Sequence, residues 1–366
     1  MNFDFSDDQK LLRDEVRKFL VNESPLSEAR NVMDKGLSHS AKVWRGLGEM
    51  GVTTLMLPLS CGGHGLGALE LCVVAEEIGR QLAPVPTVST LYLAVQAILL
   101  AANAAQQQVW LPRIAEGQIA TLAAPLSSAL GRAAVVPKFD GKVLHGVAPL
   151  VVDGEAAHMA VVLAETAEGR QLLVLADLSQ GVTRRRLESI DPTRSFAELR
   201  FNATPAEGLD ADPHSVLTQV RDRAAILLAF EQLGGADSAL AMGACYARER
   251  KAFGRAIGSY QGIKHKLADI YTRNEMARAH CYYGAWALSS NAPELAAAAS
   301  AARIAATDAF SYAAQENIQT HGGMGYTWEM DCHLYYRRAR QLAVLLGSRH
   351  EWSERLVREL EARLSA

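Results

Sequence analysis

The strongest constraint on this chain is that its hydrophobic period changes twice. From about residue 214 onward, alanine- and leucine-rich segments repeat their apolar positions at helical spacing over 214–249, 257–289, 293–319, 331–345 and 349–364. Segments of that length and pattern predict a helix bundle. Residues 5 to about 118 are helical in period as well: Leu11, Leu12, Val16 and Leu20 share one face, and Leu69 to Arg80 repeats the pattern. Between them, from Ile119 to Ala206, short apolar runs such as Met159–Ala164 and Leu172–Leu175 are bounded by Asp-Gly, Glu-Gly and Gln-Gly signals. These read as strands of an antiparallel barrel or sandwich. Helices, then strands, then helices predict an α+β chain in three domains, 1–118, 119–206 and 207–366. The glycine-rich stretch Pro58–Gly67 predicts a loop.

Composition removes several function classes. A net charge of −3, with no lysine-arginine run longer than Arg184–Arg186, leaves no electrostatic footprint for nucleic acid. Cys61, Cys72, Cys245, Cys281 and Cys332 are odd in number and dispersed, which suits reduced thiols in a cytoplasmic protein rather than a disulfide frame or a zinc site. No metal-ligand spacing is present elsewhere, so no metal is expected. The polar, acidic opening is not a signal peptide. Leu91–Ala102, interrupted by Gln96, is too short to span a bilayer and predicts a buried helix, so no membrane insertion is expected.

Two motifs carry the chemistry. Arg250-Lys-Ala-Phe-Gly-Arg-Ala-Ile-Gly-Ser-Tyr-Gln261 places a basic residue and an aromatic at a turn between helices, with a glutamine beyond. An arginine fork matches phosphate oxygens, and an aromatic can pack on a flat ring. Gln319-Thr-His-Gly-Gly-Met-Gly-Tyr326 follows a long helix, and its glycines can end that helix or let backbone approach a ligand. Either alone is also consistent with a surface charge or a helix terminator.

In this order and spacing the two motifs resemble the acyl-CoA dehydrogenase family, and the resemblance extends over nearly the whole chain. It takes in the PxxxGGxGxG loop at Pro58 and the segment Glu76-Glu-Ile-Gly79. It implies a helical N-terminal domain, a middle β-barrel domain and a C-terminal four-helix bundle. It also implies an FAD cofactor, an acyl-CoA substrate and an electron-transfer acceptor. Residue by residue, Arg250 would meet the pyrophosphate, and Phe253 and Gln261 would flank the adenosine end. Gln319, Gly322 and Gly323 would contact FAD bound mainly by a neighbouring subunit.

The flavin half departs from the family pattern. The segment the family writes TEPxAGSD aligns with Leu122-Ala-Ala-Pro125, putting Ala123 and Ala124 at the threonine and glutamate. The W-I-T segment aligns within Leu144–Gly154, putting Leu150 and Val152 at the tryptophan and threonine. A valine donates no hydrogen bond to a flavin nitrogen.

The base is displaced too. Dehydrogenation across Cα–Cβ needs a carboxylate to take the α-proton while hydride leaves for the flavin. Leu346 occupies the family's usual glutamate position and Ala224 its alternative. Glu231, two turns beyond Ala224 on one helix, faces within about 20° of it and about 10 Å along the axis. An apolar run strengthens a carboxylate as a base, so Glu231 is the candidate; a buried polar residue paired with a neighbouring helix or lining an acyl pocket is the competing reading. Asp222 is expected to cap that helix. The resemblance is to the subunit of heteromeric members, α2β2, that lacks the flavin seat. Bulky CoA thioesters such as steroid side-chain intermediates are typical substrates of such pairs. The alternatives are a homotetramer using Glu231 and a structural subunit that binds no flavin.

Overall fold

In the computed structural model, which describes residues 5–127 and 136–364, Ser6 opens helix α1 (Asp7–Glu23) with a capping box. Its hydroxyl accepts the Gln9 amide at 3.2 Å while its own amide donates to Gln9 Oε1 at 2.9 Å, meeting two otherwise orphaned groups. Helices α2 (Leu26–Asp34), α3 (Ala41–Glu49) and α4 (Ala68–Arg80) follow, with Pro58–Gly67 as a loop holding one 3₁₀ turn. The apolar run beginning at Leu91 is a buried helix, as expected. The helix starts upstream of that run, wound as a π-helix over Val88–Ala94 before α5 (Val95–Ala101). Residues that are buried all round give no period from which the wider turn can be read. A second capping box, Asn103 with Gln106, opens α6 (Ala104–Ala115).

Among the described residues seven strands follow: β1 (Ala120–Ala123), β2 (Lys138–Phe139), β3 (Val143–Val152), β4 (Met159–Glu165), β5 (Gln171–Asp177), β6 (Val182–Leu187) and β7 (Phe196–Gly208). Their pairings close on themselves, β2–β3–β7–β5–β4 and back to β2, which makes a barrel-like ring. The strand β1 attaches in parallel to β4, and β6 lies antiparallel on β7. The β4–β5 hairpin is the greasiest part, with Ala160 to Ala164 and Leu173 to Ala176 buried.

The C-terminal helices are α7 (Pro213–Glu249), α8 (Gln261–Ser289), α9 (Leu295–His321), α10 (Cys332–Val344) and α11 (Arg349–Leu364). One expectation fails here. Asp222 does not cap the Glu231 helix, because α7 opens earlier, at Pro213. Asp212 supplies the cap, accepting the Ser215 amide at 2.8 Å. Proline's fixed φ favours the first helical position, and that signal starts the helix upstream of Asp222.

The chain gathers into two compact units, one of Met1–Ser27, Ala68–Ala83 and Ala225–Ala366, the other of Glu28–Gly67 and Pro84–Ala224. In the first, α4 and α7 cross with their backbones in contact. A Cβ on Gly79 would fall 1.8 Å from the Glu231 carbonyl oxygen, and one on Gly234 would fall 1.9 Å from that of Glu76. Beside the crossing, Arg80 bonds Glu76 at 2.7 Å and Asp237 at 3.2 Å, and Arg278 bonds Asp237 at 2.7 Å and Glu76 at 3.3 Å. Burial pushes the Glu76 carboxyl above its usual range, and the two arginines pull against that shift. In the second unit, Asp153 is buried at the end of β3 with φ +52°, accepting from Ser89 at 2.7 Å and Ser195 at 3.2 Å. Among the described residues no helix is long and apolar enough to cross a membrane, and no group of three His, Cys, Asp or Glu is placed to hold a metal.

Candidate cofactor site

At the end of α7 the Arg250 amide donates to the Tyr246 carbonyl at 2.8 Å, and the Arg250 carbonyl accepts the Ile257 amide at 2.8 Å. Between them, Lys251–Ala252 and Arg255–Ala256 pair as strands β8 and β9 of a hairpin. Its two loop residues, Phe253 and Gly254, have φ of 52° and 82°. Two successive positive φ values are the twist a two-residue hairpin needs, and an aromatic seldom adopts one. The hairpin is braced by Tyr260, whose hydroxyl donates to Ala252 O at 3.0 Å and whose ring lies 4.0 Å from the Arg255 guanidinium. Phe253 is consequently held out 96% exposed. A large ring fixed in the open by a strained turn is available to cover a ligand or a partner. Gln261 is the exposed first residue of α8.

Helix α9 ends at His321, whose ring stacks on Tyr246 at 4.1 Å between centres. That contact joins the last turns of α7 and α9, and so brings the Arg250 hairpin and the Gly322 turn to one end of the helical unit. Gly322 takes φ +60°, and a side chain at Gly322 or Gly323 would meet nothing within 4 Å, so the backbone there lies open to an approaching group. Gln319 lines a cleft of about 520 Å³ with Gln315, Tyr326, Tyr336 and the ion pair Lys266–Glu316, whose charged atoms are 2.6 Å apart. Arg250, Phe253, Gln261, Gly322 and Gly323 are not among its walls. Of its walls, Lys266, Glu316 and Tyr336 lie outside both sequence motifs, and Tyr326 closes the second. The i, i+4 spacing of Gln315 and Gln319 was the one signal of a shared helical face.

The positions aligned with the family's flavin-side residues are hydrocarbon. Ala123 is buried as the last residue of β1, Ala124 is half-buried after it, Leu150 is exposed and Val152 half-buried on β3. The Val152 carbonyl accepts the Thr121 hydroxyl at 2.6 Å, which ties β3 to β1. Residues 128–135, into which the family's AGSD stretch would run, lie outside the described residues.

Glu231 is fully buried on α7, and Arg338 on α10, equally buried, places Nη1 3.3 Å from Glu231 Oε1. Arg338 also reaches the Leu82 carbonyl at 3.4 Å. The next residue, Gln232, accepts from the buried Arg303, which in turn donates to Thr307 Oγ1 at 2.8 Å and to the Leu342 carbonyl. Two adjacent side chains of α7 are thereby tied to arginines of α9 and α10. Ala224 and Leu346 are both buried. Two of the chain's histidines lie at helix ends: His321 Nδ1 is 2.8 Å from Asn317 O, and His333 Nε2 is 3.2 Å from Trp328 O.

Residues 6–118 match the family model for the acyl-CoA dehydrogenase N-terminal domain, and residues 215–358 match the model for the C-terminal domain. The acyl-CoA dehydrogenase IpdE2 of Mycobacterium tuberculosis is 35% identical over 97% of this chain and 98% of its own length. Among solved structures, a variant of the Tcur3481-Tcur3483 steroid dehydrogenase superposes with a TM-score of 0.85 at 28% identity, covering 98% of this chain and 99% of that one. The ChsE4-ChsE5 complex of M. tuberculosis does so with a TM-score of 0.88 at 26% identity, covering 99% of each chain.

Proposed function

Because this chain is a member of the acyl-CoA dehydrogenase family, we propose that it is one of two unlike subunits of an acyl-CoA dehydrogenase, supplying the adenosine-diphosphate half of an FAD site whose ring its partner seats. The family is FAD-dependent, and the residues here fit one half of that cofactor. The open backbone at Gly322 and Gly323, the exposed Arg250 and the projecting Phe253 share one end of the helical unit. The positions that would meet the ring, Ala123, Ala124, Leu150 and Val152, carry no side-chain donor. This contrast between a built half and a hydrocarbon half carries the reading. The likenesses to the ChsE4-ChsE5 complex and to the Tcur3481-Tcur3483 steroid dehydrogenase support an unlike partner and a bulky, steroid-type acyl group.

When bound, FAD supplies the hydride acceptor for Cβ. In this chain Arg250 neutralises and orients the pyrophosphate, Phe253 and Gln261 flank the adenosine, and Gln319 and the Gly322–Gly323 backbone line its approach. Proton removal from Cα falls to the partner, since Leu346 and Ala224 are hydrocarbon and Glu231 is committed to Arg338.

Two measurements test this. The chain purified alone should retain little FAD; co-expressed with the product of the adjacent reading frame, it should hold about one FAD per pair of unlike chains. Stoichiometric FAD and full turnover in the isolated chain would sink the proposal. In the pair, Arg250→Ala should weaken FAD by roughly tenfold to a hundredfold, the loss of a charge-assisted bond worth about 1.5–3 kcal/mol. Unchanged retention would mean the half-site has been assigned to the wrong residues.

A further inference from the structure

We propose that His158 is an acid-released latch, holding the start of β1 while its ring is neutral and freeing it when the ring takes up a proton. The joint lies inside the second compact unit, where His158 immediately precedes β4. The Ile119 amide donates to His158 Nδ1 at 3.0 Å, and the His158 amide donates back to the Ile119 carbonyl at 2.8 Å. A ring nitrogen accepts a bond only while it carries no proton, so this imidazole keeps its hydrogen on Nε2. A proton added to Nδ1 removes the acceptor and sets two donors against each other across 3.0 Å. What is freed is the strand that runs on to Ala123, into the segment Leu122–Pro125. Thr90 is its remaining side-chain tie at this end, accepting the Ala120 amide at 3.2 Å and donating to the Ala120 carbonyl at 3.1 Å.

The groups around the joint make a further positive charge unwelcome. From α6 comes Arg113, paired with Asp177 of β5 at 3.0 Å. From β6 comes Arg184, donating to the carbonyls of Ala157 and Leu178 at 3.0 and 2.8 Å. His39, in the connection between α2 and α3, lies within electrostatic reach of His158, and its own Nδ1 is 3.0 Å from Ser38 Oγ. Glu155, on the turn before His158, is engaged by Arg186 at 3.6 Å. Burial, seconded by Arg184 and Arg113 and opposed by Asp177, holds the His158 ring below the ordinary histidine value; burial and His158 do the same to His39. A histidine held lower in the folded chain than in the unfolded one stabilises the fold fully above its ordinary value of 6.5. That contribution is lost as the pH falls through the folded value.

Hydrogen exchange of the full chain, read amide by amide by NMR and corrected for the intrinsic effect of pH, tests the latch. Between about pH 7.5 and about pH 5 the Ile119 amide should lose roughly tenfold in protection. The midpoint should coincide with titration of the His158 ring and lie below 6.5. Amides of the β4–β5 hairpin should keep their protection over the same range. His158→Asn puts an amide oxygen close to the place of Nδ1, where it accepts the same bond and takes up no proton. In that variant Ile119 should stay protected throughout. A wild-type Ile119 amide indifferent to pH, or a His158→Asn chain that loosens as the wild type does, overturns the latch. Loss of protection in the β4–β5 hairpin in step with Ile119 overturns it too, because the event is then acid unfolding of the whole unit.

Discussion

Glu231→Ala should cost about 3–5 kcal/mol of stability, because it leaves the Arg338 guanidinium buried without the carboxylate 3.3 Å away. Replacing both residues by methionine should restore most of that loss, since a buried pair and a well-packed apolar replacement are often close in energy. Denaturant melts of the single and double variants measure this. Catalysis gives the second arm. In the FAD-loaded pair with matched cofactor content, Glu231→Gln should leave flavin bleaching by substrate within a few-fold of wild type. A general base contributes about 10²–10⁴-fold, so a fall of that size would make Glu231 the proton acceptor and place the base on this chain after all.

The second large effect sits at the helix crossing. Gly79→Ala gains about 1 kcal/mol in helix propensity, yet its Cβ would lie 1.8 Å from the Glu231 carbonyl oxygen. Backbone cannot turn aside as a side-chain tip can, so the helices must separate. The net loss should reach or exceed the roughly 3 kcal/mol upper end usual for overpacking, and Gly234→Ala should match it. Gly262→Ala, in a helix where an added Cβ meets nothing within 4 Å, keeps the propensity gain and should be neutral or slightly stabilising. Equal melting temperatures for Gly79→Ala and Gly262→Ala would refute the close crossing.

Much of this architecture was legible because period and punctuation are local. The helical segments 214–249 and 349–364 emerge at nearly those bounds as α7 and α11, and the runs at Met159 and Leu172 emerge as β4 and β5. The strand pattern is equally consistent with a barrel or a sandwich, since closure into a ring depends on β2 pairing with both β3 and β4, a long-range choice with no local mark. The same holds for the site. Arg250, Phe253 and Gln319 stand in recognisable spacings. The Tyr246–His321 stack that unites the two motifs joins residues remote in sequence, as does the Lys266–Glu316 pair. Glu231 was visible as a carboxylate in an apolar run, but its partner Arg338 lies in a later helix and left no trace near it.

The closed strand ring has a kinetic side. Amides inside a ring have a partner strand on each flank, so no one strand can peel away without breaking two ladders. Among the described residues, strand β6 is held through β7 alone, and β1 is paired only to β4. Hydrogen exchange should therefore divide these strands into two classes. Amides of β4 and β5 should wait for an opening of the whole ring, while those of β6 should exchange through local fraying at a lower opening energy. A proteolytic nick or a tolerated insertion in this part of the chain should accordingly fall first around β6.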